Sequence, residues 1–273
     1  MPDLLALVLP LTPLGEAPPD APYLGRAAHG WFMRTVARLD PALAARLHGR
    51  PGPRPFALWP ALDGGRSFLR VTSIDPALTA FLLDRWLPSL PRPIVLERSA
   101  FACGAVAQRS LQHPWAGQTR YADLIQHTTG QSAGRDRSLS LTFATPTLFR
   151  SNNLDVPLPL PTLVFDGLLQ KWNRFAPVPM DDDMKAWIET HLAVGRYRLA
   201  TRLLTFSHDG RDVMPGFRGG CRLVFVRADP IHRAMVRALA EFAFYAGVGR
   251  RTTMGMGQAR VGTKGAQMGR QAG

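Results

Sequence analysis

Seven histidines are the side chains best able to move a proton near neutral pH: His29, His48, His113, His127, His191, His208 and His232. His48 stands out by position. It ends a short helical stretch opened by Asp40-Pro41, where the helix dipole favours a cation, while Arg46, Arg50 and Arg54 oppose one. The stretch GVGRRTTMGMG is the second chemical feature. Its glycines Gly247, Gly249, Gly255 and Gly257 bracket Arg250, Arg251, Thr252 and Thr253. Glycine permits positive φ and close backbone approach, and successive free amides form an anion-binding concavity. The arginines and threonine hydroxyls would add charge and donors for phosphate. The spacing is not that of a P-loop, and the stretch follows a helix instead of opening one. The plainer alternative is a helix C-cap and a glycine turn into a strand.

Metal chemistry finds little support. Cys103 and Cys221 lie far apart in the chain and have no close Cys/His pairs around them. Asp181-Asp182-Asp183 precede the helical run MKAWIETHL, and capping with dipole complementarity explains them. No metal or cofactor is called for. His113 in HPWAG is expected to order a loop against Trp115, and His127, His191, His208 and His232 read as structural or surface residues.

These groups need elements to position them. Residues 3–10 read as a buried strand. Leu24, Ala28, Trp31, Phe32, Val36 and Leu39 recur with helical period over 24–38. A short helix follows from Asp40-Pro41 to about His48, stopped by Gly49. Strands are expected near 55–60 and 67–73, a helix from Asp75-Pro76 to about 88, and strands near 93–97 and 100–108. Residues 110–137 read as a linker or long loop. The order then recurs: a strand at 138–146, helices at 161–175 and 182–193, strands at 197–207 and 219–227, a helix from Asp229-Pro230 to Gly247, and a strand near 257–262. Two copies of a split βαβ unit are the economical reading.

Composition sets the partner class. The 273 residues carry 33 basic and 20 acidic side chains, a net charge of +13. Only Lys171, Lys185 and Lys264 are lysines; the rest are arginines. GC-rich coding accounts for part of the arginine preference, but not for the excess over acids. The excess is local, falling in residues 20–54 and after Glu241, whereas 155–189 is net acidic. Such a field attracts polyanions, so nucleic acid leads and an acidic protein surface comes second. The start, MPDLLALVLPLTP, has neither a basic leader nor a small-residue cleavage site, and no apolar run approaches the ~18 residues of a membrane span. A cytoplasmic protein is expected.

The ending AEFAFYAGVGRRTTMGMGQARV resembles the glycine-rich signature of the RAMP superfamily. More closely, it resembles the CRISPR-associated endoribonucleases that process precursor CRISPR RNA, the sixth numbered Cas protein family. LGRAAHGWFMRTVARLDPALAARLHG, HPWAGQTRYADLIQH, LSLTFATPTLFR and MPGFRGGCRLVF agree in order, so the similarity runs from about residue 3 to 262. It implies an α+β chain of two tandem ferredoxin-like (RRM-like) βαββαβ domains. The boundaries expected are 1–137, 138–262 and a flexible basic tail, 263–273, with a basic cleft between the domains holding RNA.

The resemblance also implies metal-independent cleavage of repeat RNA. The 2′-hydroxyl attacks the adjacent phosphate and leaves a 2′,3′-cyclic phosphate and a 5′-hydroxyl. That chemistry needs a base, an acid and cations for the phosphorane charge. The family's catalytic histidine falls on His48. His29, on the first helix, matches a second histidine that some relatives use, and Arg54 stands where relatives carry a lysine or another cation. Met33 stands where relatives often carry a tyrosine, which raises the case for His29. RNA contacts are expected from Gly247–Gly257, Arg26, Arg50 and Arg218, the last in a strand-to-strand loop. The partners are CRISPR repeat RNA and, secondarily, effector-complex subunits, with no membrane; a monomer and a homodimer both stay open. The competing readings are a non-catalytic RNA-binding RAMP subunit of an effector complex and a generic phosphate-ligand protein.

Overall fold

The structure, a computed structural model, describes residues 1–15, 24–49, 51–62, 67–129, 136–181, 183–206, 211–227 and 229–262. The chain forms two compact units. The first is Met1–Tyr121 with Thr205–Val213 and Arg251–Gly255; the second is Ala122–Leu204, Met214–Arg250 and Met256–Gly273.

The first unit is built on β1 (Leu4–Pro13), whose residues from Leu4 to Leu9 are all fully buried. An unbroken apolar run makes a strand covered on both faces. On one face Leu5, Leu7 and Leu9 pack with Ala28, Trp31, Phe32 and Val36 of α1 (Gly25–Leu39). The next helix, α2 (Pro41–Gly49), starts where Asp40 Oδ1 accepts the Leu43 amide at 2.8 Å, supplying a cap typically worth ~1 kcal/mol. β2 (Phe56–Ala61) and β3 (Phe68–Ser73) form an antiparallel pair. α3 (Pro76–Phe81) is capped by Asp75 and runs on as a π-helical turn, Leu82–Trp86.

β4 (Ile94–Leu96) and β5 (Ser99–Cys103) make a hairpin, and β6 (Gly117–Thr119) follows. The strand order is β2-β3-β1-β5-β4, with β6 also on β1. One edge of β1 is lined by a single run of chain: Leu11 pairs with Cys103, Val8 with Ala107 and Leu5 with Gln118. Residues 108–116 loop out of this run. Trp115 comes back over the sheet, its carbonyl accepting from the fully buried Arg70 Nε at 2.8 Å, with the Arg70 guanidinium over its ring. Trp59, Phe68 and His113 complete an edge-to-face aromatic cluster there.

After α4 (Tyr121–Thr129), the second unit repeats the plan. β7 (Ser138–Thr147), α5 (Pro161–Phe175), α6 (Met184–His191), β10 (Leu192–Thr205), β11 (Val213–Phe225), α7 (Pro230–Ala246) and β12 (Ala259–Val261) follow in order. A hairpin of β8 (Phe149–Ser151) and β9 (Leu154–Val156) is inserted after β7. In the sheet order β10-β11-β7-β12 the sheet's second, third and first strands lie side by side, as β2-β3-β1 do in the first unit, with a later strand beyond the first in both. The class is α+β.

Three expectations are corrected. Residues 110–137 are not simply a linker, since β6 and α4 lie within them. Arg218 is not in a loop but within β11, exposed beside a bulge between Phe217 and Gly219. Gly219 has φ 130°, and an added Cβ would strike the Arg198 carbonyl. Asp183 stands at the N-cap of α6 without a capping bond; its carboxylate faces His232 Nε2 at 3.4 Å. Arg50, Asp182, His208 and the tail 263–273 lie outside the described residues. Among the described residues no helix is long and apolar enough to cross a membrane.

Candidate active site

The first unit brings His29, His48, Arg54 and Thr253 together. His29 sits on α1 just off the buried stripe, stacked on Phe56 of β2 at 5.9 Å. Its pKa is lowered, first by burial and then by the positive fields of Arg54 and His48; a hydrogen bond to the Thr253 backbone pulls the other way. Nδ1 is buried without a partner, so the bond to the Thr253 carbonyl runs through Nε2–H. The imidazole is therefore neutral near pH 7 and ties α1 to the 3₁₀ turn Thr252–Met254.

His48 is exposed in the last turn of α2. Arg54 donates from Nη1 to the Leu47 carbonyl at 2.8 Å, which satisfies an open acceptor at the end of α2 and fixes a cation beside His48. The short helix thus delivers an exposed imidazole, and the segment after it returns a guanidinium to the same place.

The glycine-rich stretch is held at both ends. In the second unit, the Val248 amide donates to the Gly257 carbonyl at 2.8 Å and the Gly257 amide to the Pro146 carbonyl at 3.0 Å. Arg250 N donates to the Leu148 carbonyl, and Gly249, with φ 77°, passes so close that an added Cβ would strike the same carbonyl. Lys171 is buried in α5 and donates to the Ala246 and Gly247 carbonyls at 2.6 and 2.9 Å, closing the C-terminal end of α7. Gly247 and Gly255 also take positive φ, as does Arg251 at 52°.

Thr252 and Thr253 are buried, whereas Arg250, Arg251 and Met254 are half-buried, so the polar side chains that the stretch offers to solvent are the arginines. Arg250 pairs with Asp155 at 2.7 Å in the second unit. In the first unit Arg251 lies 4.2 Å over the Phe206 ring and forks onto Asp212, which also pairs with Arg26.

One basic surface escaped the sequence reading. β10 is exposed along most of its length and carries Arg196, Arg198 and Arg202 at even spacing, so these share one face. Arg218 and Arg222 are exposed on the neighbouring β11. The signal was a period-two arginine pattern in GRYRLATRL. His113 behaves as expected: its Nδ1 accepts the Trp115 amide at 3.1 Å. Among the described residues no three His, Cys, Asp or Glu side chains gather as a metal site would need.

Comparison with known proteins identifies the family. The family model described as CRISPR-associated endoribonuclease Cas6 matches residues 141–259. A Streptococcus thermophilus CRISPR-associated endoribonuclease Cas6 is 33% identical over 121 residues, 43% of this chain; the match spans about half of that relative, 48% of its length. Among solved structures, the product complex of Cas6 (TTHB231), a Thermus thermophilus protein, is 31% identical with a TM-score of 0.79, covering 96% of this chain and 100% of that one. The product complex of Cas6 (TTHA0078) is 30% identical with a TM-score of 0.79, covering 95% and 99%. With 31% identity and a like fold along the whole length of a Cas6 chain, this chain belongs to the Cas6 family of CRISPR-associated endoribonucleases.

Proposed function

We propose that the chain matures precursor CRISPR RNA by cutting within the repeats, without metal, through attack of a ribose 2′-hydroxyl on the adjacent phosphate. The products are a 2′,3′-cyclic phosphate and a 5′-hydroxyl. The observation that carries this reading is the gathering of His29, His48, Arg54 and Thr253 at one place in the first unit. In this scheme His48, exposed at the helix end, exchanges protons with the reacting oxygens. Arg54, already fixed beside it, meets the charge that builds on the phosphorane. His29 acts from behind: it holds Thr253, and through it the turn that follows Arg251. The loop arginines Arg250 and Arg251, with Arg26 and the arginine face of β10, bind the RNA backbone.

The test is cleavage of a repeat RNA in EDTA by the wild type and by His48→Ala. Loss of one histidine that moves a proton typically costs ~10²–10⁴-fold in rate. The reading expects such a fall with RNA affinity retained. Undiminished cutting by His48→Ala removes the assignment. A wild type that binds repeat RNA yet never cuts it returns the chain to a binding role.

A further inference from the structure

Each arginine of the loop pair meets a carboxylate that a second arginine shares. In the first unit, Asp212 accepts from Arg251 Nη1 and Nη2 at 3.1 Å each and also from Arg26. In the second unit, Asp155 Oδ1 accepts from Arg250 Nη1 at 2.7 Å and lies 3.5 Å from Arg150 Nη1. These side chains reach solvent, from 25% exposed for Arg251 to 53% for Arg26. Pairs this exposed contribute little to stability. Their geometry is nonetheless specific: an arginine fork receives a carboxylate and a phosphate in the same way. The Arg251 hydrogen bonds are the main reason that the Asp212 carboxyl titrates below the ordinary range.

We infer that Asp212 and Asp155 are built-in counter-anions: on Arg251 with Arg26, and on Arg250 with Arg150, they hold the places that RNA phosphates take, and RNA binding displaces them. The inference rests on the reading of the glycine-rich stretch as an RNA contact. Two consequences follow. The arginines stay oriented before RNA arrives, with Phe206 under one of them and a carboxylate in front. A bound RNA, substrate or product, must overcome an anion already in place, which lowers affinity and hastens release.

The experiment uses the full chain and a labelled repeat RNA, 2′-O-methylated so that no attacking hydroxyl is present. Binding is followed by fluorescence anisotropy across a series of salt concentrations. Asp212→Asn and Asp155→Asn remove charge at nearly constant shape. Each removes the one negative charge that RNA must otherwise displace, so the salt slope should steepen by about 0.7, the value for a single-strand phosphate, with binding about fivefold tighter at ~0.1 M salt. Asp212→Glu and Asp155→Glu should behave as wild type. Thermal denaturation confirms folding, and the two pairs, lying in separate units, give independent readings. Weaker or unchanged binding by both Asn variants overturns the inference, because the carboxylates would then only position the arginines. Arg251→Ala separates the layers: weakened binding upholds the loop as an RNA contact whatever the Asn variants do, whereas unchanged binding overturns both readings.

Discussion

Gly257→Ala tests whether the glycine-rich stretch is a built structure or a slack turn. Gly257 has φ 69°, a conformation that costs a residue with a Cβ ~1–2 kcal/mol. The added Cβ would overlap the Val248 carbonyl oxygen and lie 2.9 Å from its carbon and 3.1 Å from the Val248 nitrogen, all backbone atoms with no side chain to swing away. Relief means moving the chain, which puts at risk the 2.8 Å bond from Val248 N and the 3.0 Å bond to Pro146 O, each worth ~0.5–1.5 kcal/mol net. The sum is about 2–5 kcal/mol, and at ~2–4 °C per kcal/mol the melting temperature should fall by about 10 °C. Differential scanning fluorimetry reads the stability and anisotropy reads RNA affinity, which should weaken as the two ends of the stretch part. Gly49→Ala, with nothing within 4 Å of its added Cβ, is the control and should not lower the melting temperature. A Gly257→Ala protein that melts with the wild type would refute the argument from close approach.

Two further outcomes follow from single residues. Gly167 lies within α5, has nothing within 4 Å of an added Cβ and no positive φ, so Gly167→Ala should stabilise the chain by ~0.5–1 kcal/mol in urea unfolding. Lys171 has its pKa pushed down to about 7 by burial. Between about pH 7 and its ordinary value near 10.5 the unfolded chain holds a proton that the folded one has released, so this group makes stability rise with pH across that window. Lys171→Met should flatten the rise, as seen by denaturant titrations at pH 7 and 9.

The sequence was most legible where one local interaction decides the structure. Asp40, Asp75 and Asp229 each precede a proline and each caps the helix expected there, and the apolar stripe of α1 is the buried stripe. It was least legible where distant chain decides. Residues 117–119 are too polar to read as a strand by pattern; they pair because β1 leaves an edge open beside them. The β8–β9 hairpin turns on Asn152 and Asn153, both at positive φ, a short-range signal that was present and went unread. In the site, His48 was marked by its helix end, but the link from His29 to Thr253 spans more than two hundred residues, and no spacing announces it. The buried threonines show the same limit: hydroxyls that look available to a ligand in sequence are consumed by the turn's own packing.

Arg251–Gly255, translated near the end of the described chain, belongs with the opening hundred and twenty residues. The histidine on α1 therefore lacks the backbone it grips until residues 251–255 have been made, and a truncated N-terminal half would carry its imidazoles without their strut.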